Sequence, residues 1–152
     1  MTITISISEL LSDIKTKSRL ETDGIADADM KYRVQVGSEK NDEIYRDLTS
    51  SHASVRRVMR RFLQKDYSDS DNNELPVPYM TDFTYVLAFA DRRLANKVQP
   101  LTDKIHDYLV HLTLSKFYAS VSAGELSNAH SMLTIDAANQ IEDLLYSKDS
   151  PL

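Results

Sequence analysis

The sequence predicts a mainly α fold: a bundle of about four helices with one short strand or hairpin insert near residues 75–90. Three observations carry this. Gly and Pro are scarce, at three and four in 152 residues, too few for the many tight turns of sandwiches and barrels. Stepping forward from Met30 by four and three residues gives Met30, Val34, Gly37, Asn41, Ile44, Leu48, Ser51, Val55, Val58 and Phe62, of which seven are apolar. A stripe that keeps register over so many turns is a helix signal. One segment, 82–90, instead alternates at period two, with Phe83, Tyr85, Leu87 and Phe89 on one face.

Taken in order, residues 8–20 read as a short first helix, with Ser8 as its cap and Leu10, Leu11, Ile14 and Leu20 on its apolar side. "ETDGIADAD" (21–29) reads as an Asp-rich turn. The second helix is read as continuous from about Ala26 to Gln64. Gly37 costs such a helix about 1 kcal/mol against Ala, which implies close packing there or a kink. A break near Gly37 and Ser38 is the alternative, with Ser38 capping a second helix ahead of Glu39 and Asp42. A strand over Tyr32 to Val36 explains too few residues to compete. "KDYSDSDNNELPVP" (65–78) is the clearest loop and separates the N-terminal and C-terminal halves of one domain spanning 1–152.

After the extended 82–90 segment, Pro100 opens a long helix near a favoured position. Leu101, Ile105, Tyr108 and Leu112 form one stripe; Leu109, Leu114, Phe117 and Val121 form another. Two stripes mark a helix buried on more than one side, the centre of the bundle. "SAGE" (122–125) ends it, with Gly124 as the expected C-terminal cap. The last helix runs from about Glu125 to Ser147, with Leu126, Leu133, Ala137, Ile141 and Leu144 expected inward.

Composition narrows the function. There is no Cys, so disulfide and thiolate chemistry are excluded. No apolar run approaches the ~20 residues of a membrane span, and "MTITISISEL" lacks the basic and apolar regions of a signal peptide. No membrane partner is expected. A net charge of −5 argues against nucleic-acid binding by the whole surface and leaves room for a local basic patch. There is no GxSxG elbow and no phosphate-cradling Gly loop; no catalytic residue, metal or cofactor is expected, and the chain reads as a non-enzyme.

Three constellations are candidates for chemistry. Asp107 and His111 share a helix face at a ligand spacing, with Asp103 and His106 nearby and His130 and Glu125 as further ligands from another helix; a polar stripe with surface ion pairs is the plainer account. "DSDNNE" (69–74) starts like a calcium loop but has Glu74 where Gly is needed and Met80 where a bidentate Glu is needed, so it is rejected. "VRRVMRRF" places Arg56, Arg57, Arg60 and Arg61 in two adjacent rows away from Val55, Val58 and Phe62, and Arg92, Arg93 and Lys97 form a second basic group. These could contact phosphate, DNA or an acidic partner; favourable charge at a helix C-terminus and pairing with the acidic loop is the plainer account. Finally, the 82–90 segment has no second strand of comparable quality in the chain. Either residues 75–80 fold back on it, or Phe83, Tyr85, Leu87 and Phe89 meet a neighbouring subunit, and the latter contact is the expectation.

The layout resembles the head–tail connector (adaptor, or head-completion) proteins of tailed phages and prophages. "ISISELLSDIKTKSRL" looks like their short opening helix after a Thr/Ile-rich start, "FTYVLAF" like a strand insert after a long second helix, and residues 100–148 like their closing helix pair, in which a hydrophobic helix ends in aromatics (Phe117, Tyr118). The likeness covers most of the chain and is one of pattern. It implies a small helical structural protein of the bacterial cytoplasm or virion that oligomerises or binds other phage structural proteins. A small helical binding or regulatory module that uses the Arg56–Arg61 face is the alternative.

Overall fold

The structure, a computed structural model, describes residues 2–64, 82–88 and 95–146. Among them are five α-helices and a two-stranded sheet, so the mainly α reading with a strand insert holds.

The Thr/Ile-rich start is a strand, β1 (Thr2–Ile5), with Ile3 and Ile5 buried and Thr2 and Thr4 exposed. Ser6 then caps helix α1 (Ile7–Thr22), its hydroxyl accepting from the Glu9 N–H at 3.3 Å, so the cap is Ser6 and not Ser8. The N–H of Ile7, unpaired by the helix itself, donates to Asp82 Oδ1 at 3.0 Å. The buried side of α1 is Ile7, Leu10, Ile14, Ser18 and Thr22; Leu20, expected inward, lies off this stripe and is 66% exposed.

The continuous helix expected from Ala26 to Gln64 is interrupted. Helix α2 (Ala28–Val34) is capped by Asp27, which accepts from the N–H groups of Asp29 and Met30. The chain then turns extended at Gln35, passes through a 3₁₀ turn at Ser38–Lys40 and enters helix α3 (Asn41–Val58). Tertiary partners replace the helical bonds at the break. Val36 is buried, and its N–H donates to Ser18 Oγ of α1 at 2.9 Å. The Lys40 ammonium turns back and donates to the carbonyls of Tyr32, Arg33 and Gln35 at 2.7, 2.8 and 2.7 Å, capping α2. Gly37 lies in this turn, where an added Cβ would meet only the movable carboxylate end of the exposed Glu39 side chain. The interruption falls near Gly37 and Ser38, as in the alternative reading, and Lys40 is the residue that precedes α3. A second 3₁₀ turn, Arg60–Phe62, follows α3, and Leu63 makes an isolated antiparallel bridge with Leu87.

Strand β2 (Phe83–Val86) pairs antiparallel with β1, Ile3 opposite Tyr85 and Ile5 opposite Phe83. Its partner is thus the first strand of the same chain. The loop at 65–78, with its 69–74 acidic run, and the stretch at 75–80 lie outside the described residues.

Helix α4 (Val98–Ser120) is the central element, as its two stripes imply: it packs against α1, α3 and β1, and buries Leu101, Ile105, Tyr108, Leu109, Leu114, Phe117 and Tyr118. Pro100 falls in its first turn, where a missing N–H costs nothing. The helix ends in a Schellman turn. Ala123 N–H donates to Tyr118 O at 2.8 Å and Ser122 N–H to Ala119 O at 3.3 Å, and the left-handed residue is Ser122 (φ 61°). The expected cap, Gly124, instead begins helix α5 (Gly124–Tyr146). The buried stripe of α5 against α4 is His130, Thr134, Ala137, Ile141 and Leu145. Ala137 and Ile141 match the expectation; Leu133 is turned out.

Candidate functional site

The α4–α5 contact is polar at one end and apolar at the other. Ser115 Oγ lies 2.6 Å from Ser131 Oγ, and Ser127 Oγ donates to the Ser115 carbonyl at 2.9 Å. One turn away, His111 Nδ1 of α4 lies 3.0 Å from His130 Nδ1 of α5. The other nitrogen of His130, Nε2, stands 2.9 and 2.7 Å from the two oxygens of Glu21 on α1. The Tyr118 hydroxyl donates to the same carboxylate at 3.2 Å. Three helices thus meet on one hydrogen-bonded row: Glu21, His130, His111, with Tyr118 at its side. His130 is 3% exposed and Glu21 faces partly to water.

The electrostatics follow from burial. Desolvation first, then His130 and Lys17, hold the His111 imidazole below its ordinary range, against the opposing pull of Asp107 and Glu21. Tyr118 is driven far above the ordinary phenol range, chiefly by burial. Its hydroxyl stays protonated and acts as a donor. This row carries histidines that the sequence singled out, but in a different set. Glu125 is not in it. His106 faces Asp13 of α1 at 2.6 Å, and Asp103 accepts from Gln99. Among the described residues no group of three or more His, Asp or Glu side chains could hold a metal ion.

Glu21 was missed because it falls where the sequence reads as a turn. The signal lay in the inner stripe of α1: Leu10 and Ile14 are followed by Ser18 and, seven residues after Ile14, Glu21. An apolar stripe that turns polar while still facing the bundle requires polar partners across it.

The arginines divide. Arg57 in the last turn of α3 and Arg60 and Arg61 in the 3₁₀ turn after it are exposed, while Arg56 is half-buried and exerts its charge on the Tyr85 hydroxyl. Arg92, Arg93 and Phe89 lie outside the described residues. Lys97, grouped with them by sequence, is buried and donates to the Leu144 carbonyl at 3.3 Å.

The strand residues are a correction. Phe83, Tyr85 and Leu87 were expected at a contact with another subunit; they are 0%, 0% and 2% exposed within the single chain. Tyr85 OH lies 2.7 Å from His52 Nδ1, and the His52 ring stacks on Phe83 with centroids 4.3 Å apart and planes 6° from parallel. Pairing with β1 and packing against α3 supply what a second subunit was expected to supply.

Two surface features complete the description. An open recess of about 310 Å³ is lined by Lys15, Thr16, Arg19, Gln35, Val36 and Gly37. On α5, Met132, Leu133 and Ile135 are 68%, 43% and 61% exposed. No helix of the described residues is long and apolar enough to cross a membrane. No family model, curated protein or solved structure matches the chain.

Proposed function

We propose that the chain is a non-enzymatic structural or assembly protein, a head–tail connector-like component of a phage or prophage that works in the bacterial cytoplasm or virion. It associates with copies of itself or with neighbouring structural proteins. The observation that carries this reading is the outward face of α5. The helix buries a stripe led by His130, Thr134 and Ala137 while Met132, Leu133 and Ile135 stand in water. Burying such side chains contributes about 1.5–3 kcal/mol each when complete, enough to offset part of the cost of association. The contact surface therefore moves from β2, which the chain itself covers, to α5.

Sedimentation velocity over a range of concentrations tests it. The native chain is expected to self-associate, and Met132→Glu with Ile135→Glu to give a monomer of unchanged helix content. A native chain that stays monomeric, or an oligomer that survives both changes, refutes the α5 contact.

The exposure of Arg57, Arg60 and Arg61 favours a second reading, a local contact with nucleic acid or another acidic partner. Fluorescence anisotropy with duplex DNA in rising salt examines it. Each arginine that neutralises a phosphate contributes about 0.9 to the slope of log K against log salt. Three Arg→Ala changes that leave the slope unaltered exclude this surface.

A further inference from the structure

We propose that His111 and His130 form a proton-operated latch between α4 and α5, which holds with one proton between the facing nitrogens and opens when both rings are charged. The inference stands on the interior of the molecule and is independent of the assembly reading.

The geometry sets the rule. A bond between two Nδ1 atoms 3.0 Å apart needs one donor and one acceptor. His130 Nε2 faces both oxygens of Glu21, at 2.7 and 2.9 Å, and so carries a proton. When His130 is neutral its Nδ1 is bare and accepts from His111 N–H. When His130 is charged its Nδ1 donates, and His111 accepts by taking the other tautomer. One hydrogen lies between the rings in both states. When both rings are charged, two N–H groups point at each other across 3.0 Å, the bond is lost and two cations are in contact.

His130 has little room to relax, while His111 is partly exposed. His130 is buried, clamped by Glu21, and flanked by the Tyr118 ring at 5.7 Å between centroids. The charged and titratable groups around the pair are Lys17 and Glu21 from α1 and Asp107 and Tyr118 from α4. Helix α5 has no charged side chain between Glu125 and Asp136. Glu21 is committed to His130 and Tyr118, and Lys17 adds a further positive charge on the α1 side.

The consequence is a direction with pH. In the unfolded chain His111 takes its proton near ~6.5; in the fold, burial, His130 and Lys17 hold it below that. The unfolded chain therefore binds more protons in the window beneath ~6.5. The contribution of the pair to stability is complete above that pH and is lost as pH falls toward the lowered value. The N-terminal half of α5 is the part it frees, since His130 and the nearby Ser127 and Ser131 are its bonds to α4.

Chemical denaturation of the native chain and of His111→Asn at pH 8, 6.5 and 5.5 tests the latch. Asparagine can donate an N–H toward His130 and takes up no proton. Buried His52 and surface His106 are common to both proteins, so the difference isolates the pair. The folded-to-unfolded ratio of the native chain is expected to fall further than that of the variant between pH 6.5 and 5.5. Equal falls in the two proteins overturn the proposal. If His111→Asn does not fold, the ¹⁵N imidazole titration of the native chain decides. Coupled proton uptake by the two rings, with His111 charging below the ordinary imidazole range, supports the latch; uncoupled uptake by the two rings overturns it.

Discussion

Replacing Tyr85 by Phe removes one oxygen from the interior and leaves the ring in place. The structure says that this oxygen matters. Tyr85 is completely buried in β2 opposite Ile3, and its hydroxyl lies 2.7 Å from Nδ1 of His52, itself 2% exposed. Burial pushes the Tyr85 hydroxyl well above its usual range despite the opposing Arg56 charge, so it keeps its proton at ordinary pH. Tyr85→Phe removes a hydrogen bond between two buried side chains. Losing such a bond costs about 0.5–1.5 kcal/mol, whereas a substitution at an exposed or subunit-facing site of an isolated chain stays within about 0.5 kcal/mol. With a urea dependence of about 2 kcal/mol per molar, a cost near the middle of that range lowers the unfolding midpoint by about 0.5 M. Circular dichroism at 222 nm against urea gives the midpoint directly. A shift below about 0.2 M, equivalent to less than ~0.5 kcal/mol, refutes the placement of Tyr85 in the monomer core. Tyr85→Lys or Leu87→Lys is expected to unfold the chain outright, because each charge would enter the fully packed side of β2.

Lys40→Met keeps the aliphatic stem and removes the ammonium that caps three carbonyls at the end of α2, two of them exposed to water. The expected cost is about 1–2 kcal/mol, seen as a fall in Tm of about 2–8 °C; an unchanged melt means that water replaces the lysine without loss. Ser122→Gly relieves a left-handed residue at the α4–α5 turn and is expected to stabilise by about 1 kcal/mol, or 2–4 °C in Tm, with no change in the helical spectrum. A lower Tm would show that the Schellman turn is not built around residue 122.

What the sequence determined by itself was local and periodic. The two apolar stripes of Leu101 to Val121 fix α4 as a helix buried on several sides, and the period-two run of Phe83, Tyr85 and Leu87 fixes β2 with one buried face. The polarity of Arg57, Arg60 and Arg61 is enough to keep them in water. Pairing across distance was settled in three dimensions. Nothing near β2 announces that Ile3 and Ile5, some eighty residues earlier, are its partners, because four residues of alternation are too short to distinguish from a helix start. The break after α2 follows from Ser18 and Lys40 offering better partners than the next helical turn, a comparison of bonds that exist only once the helices have met. The same holds for the Glu21–His130–His111 row. Helix α5 has Leu126, Leu133 and Leu144 on one side and His130, Thr134, Ala137 and Leu145 on another, and its periodicity does not rank them. The polar ends of α1 and α4 do, because buried donors and acceptors must be satisfied, and only the side of α5 that carries His130 can satisfy them.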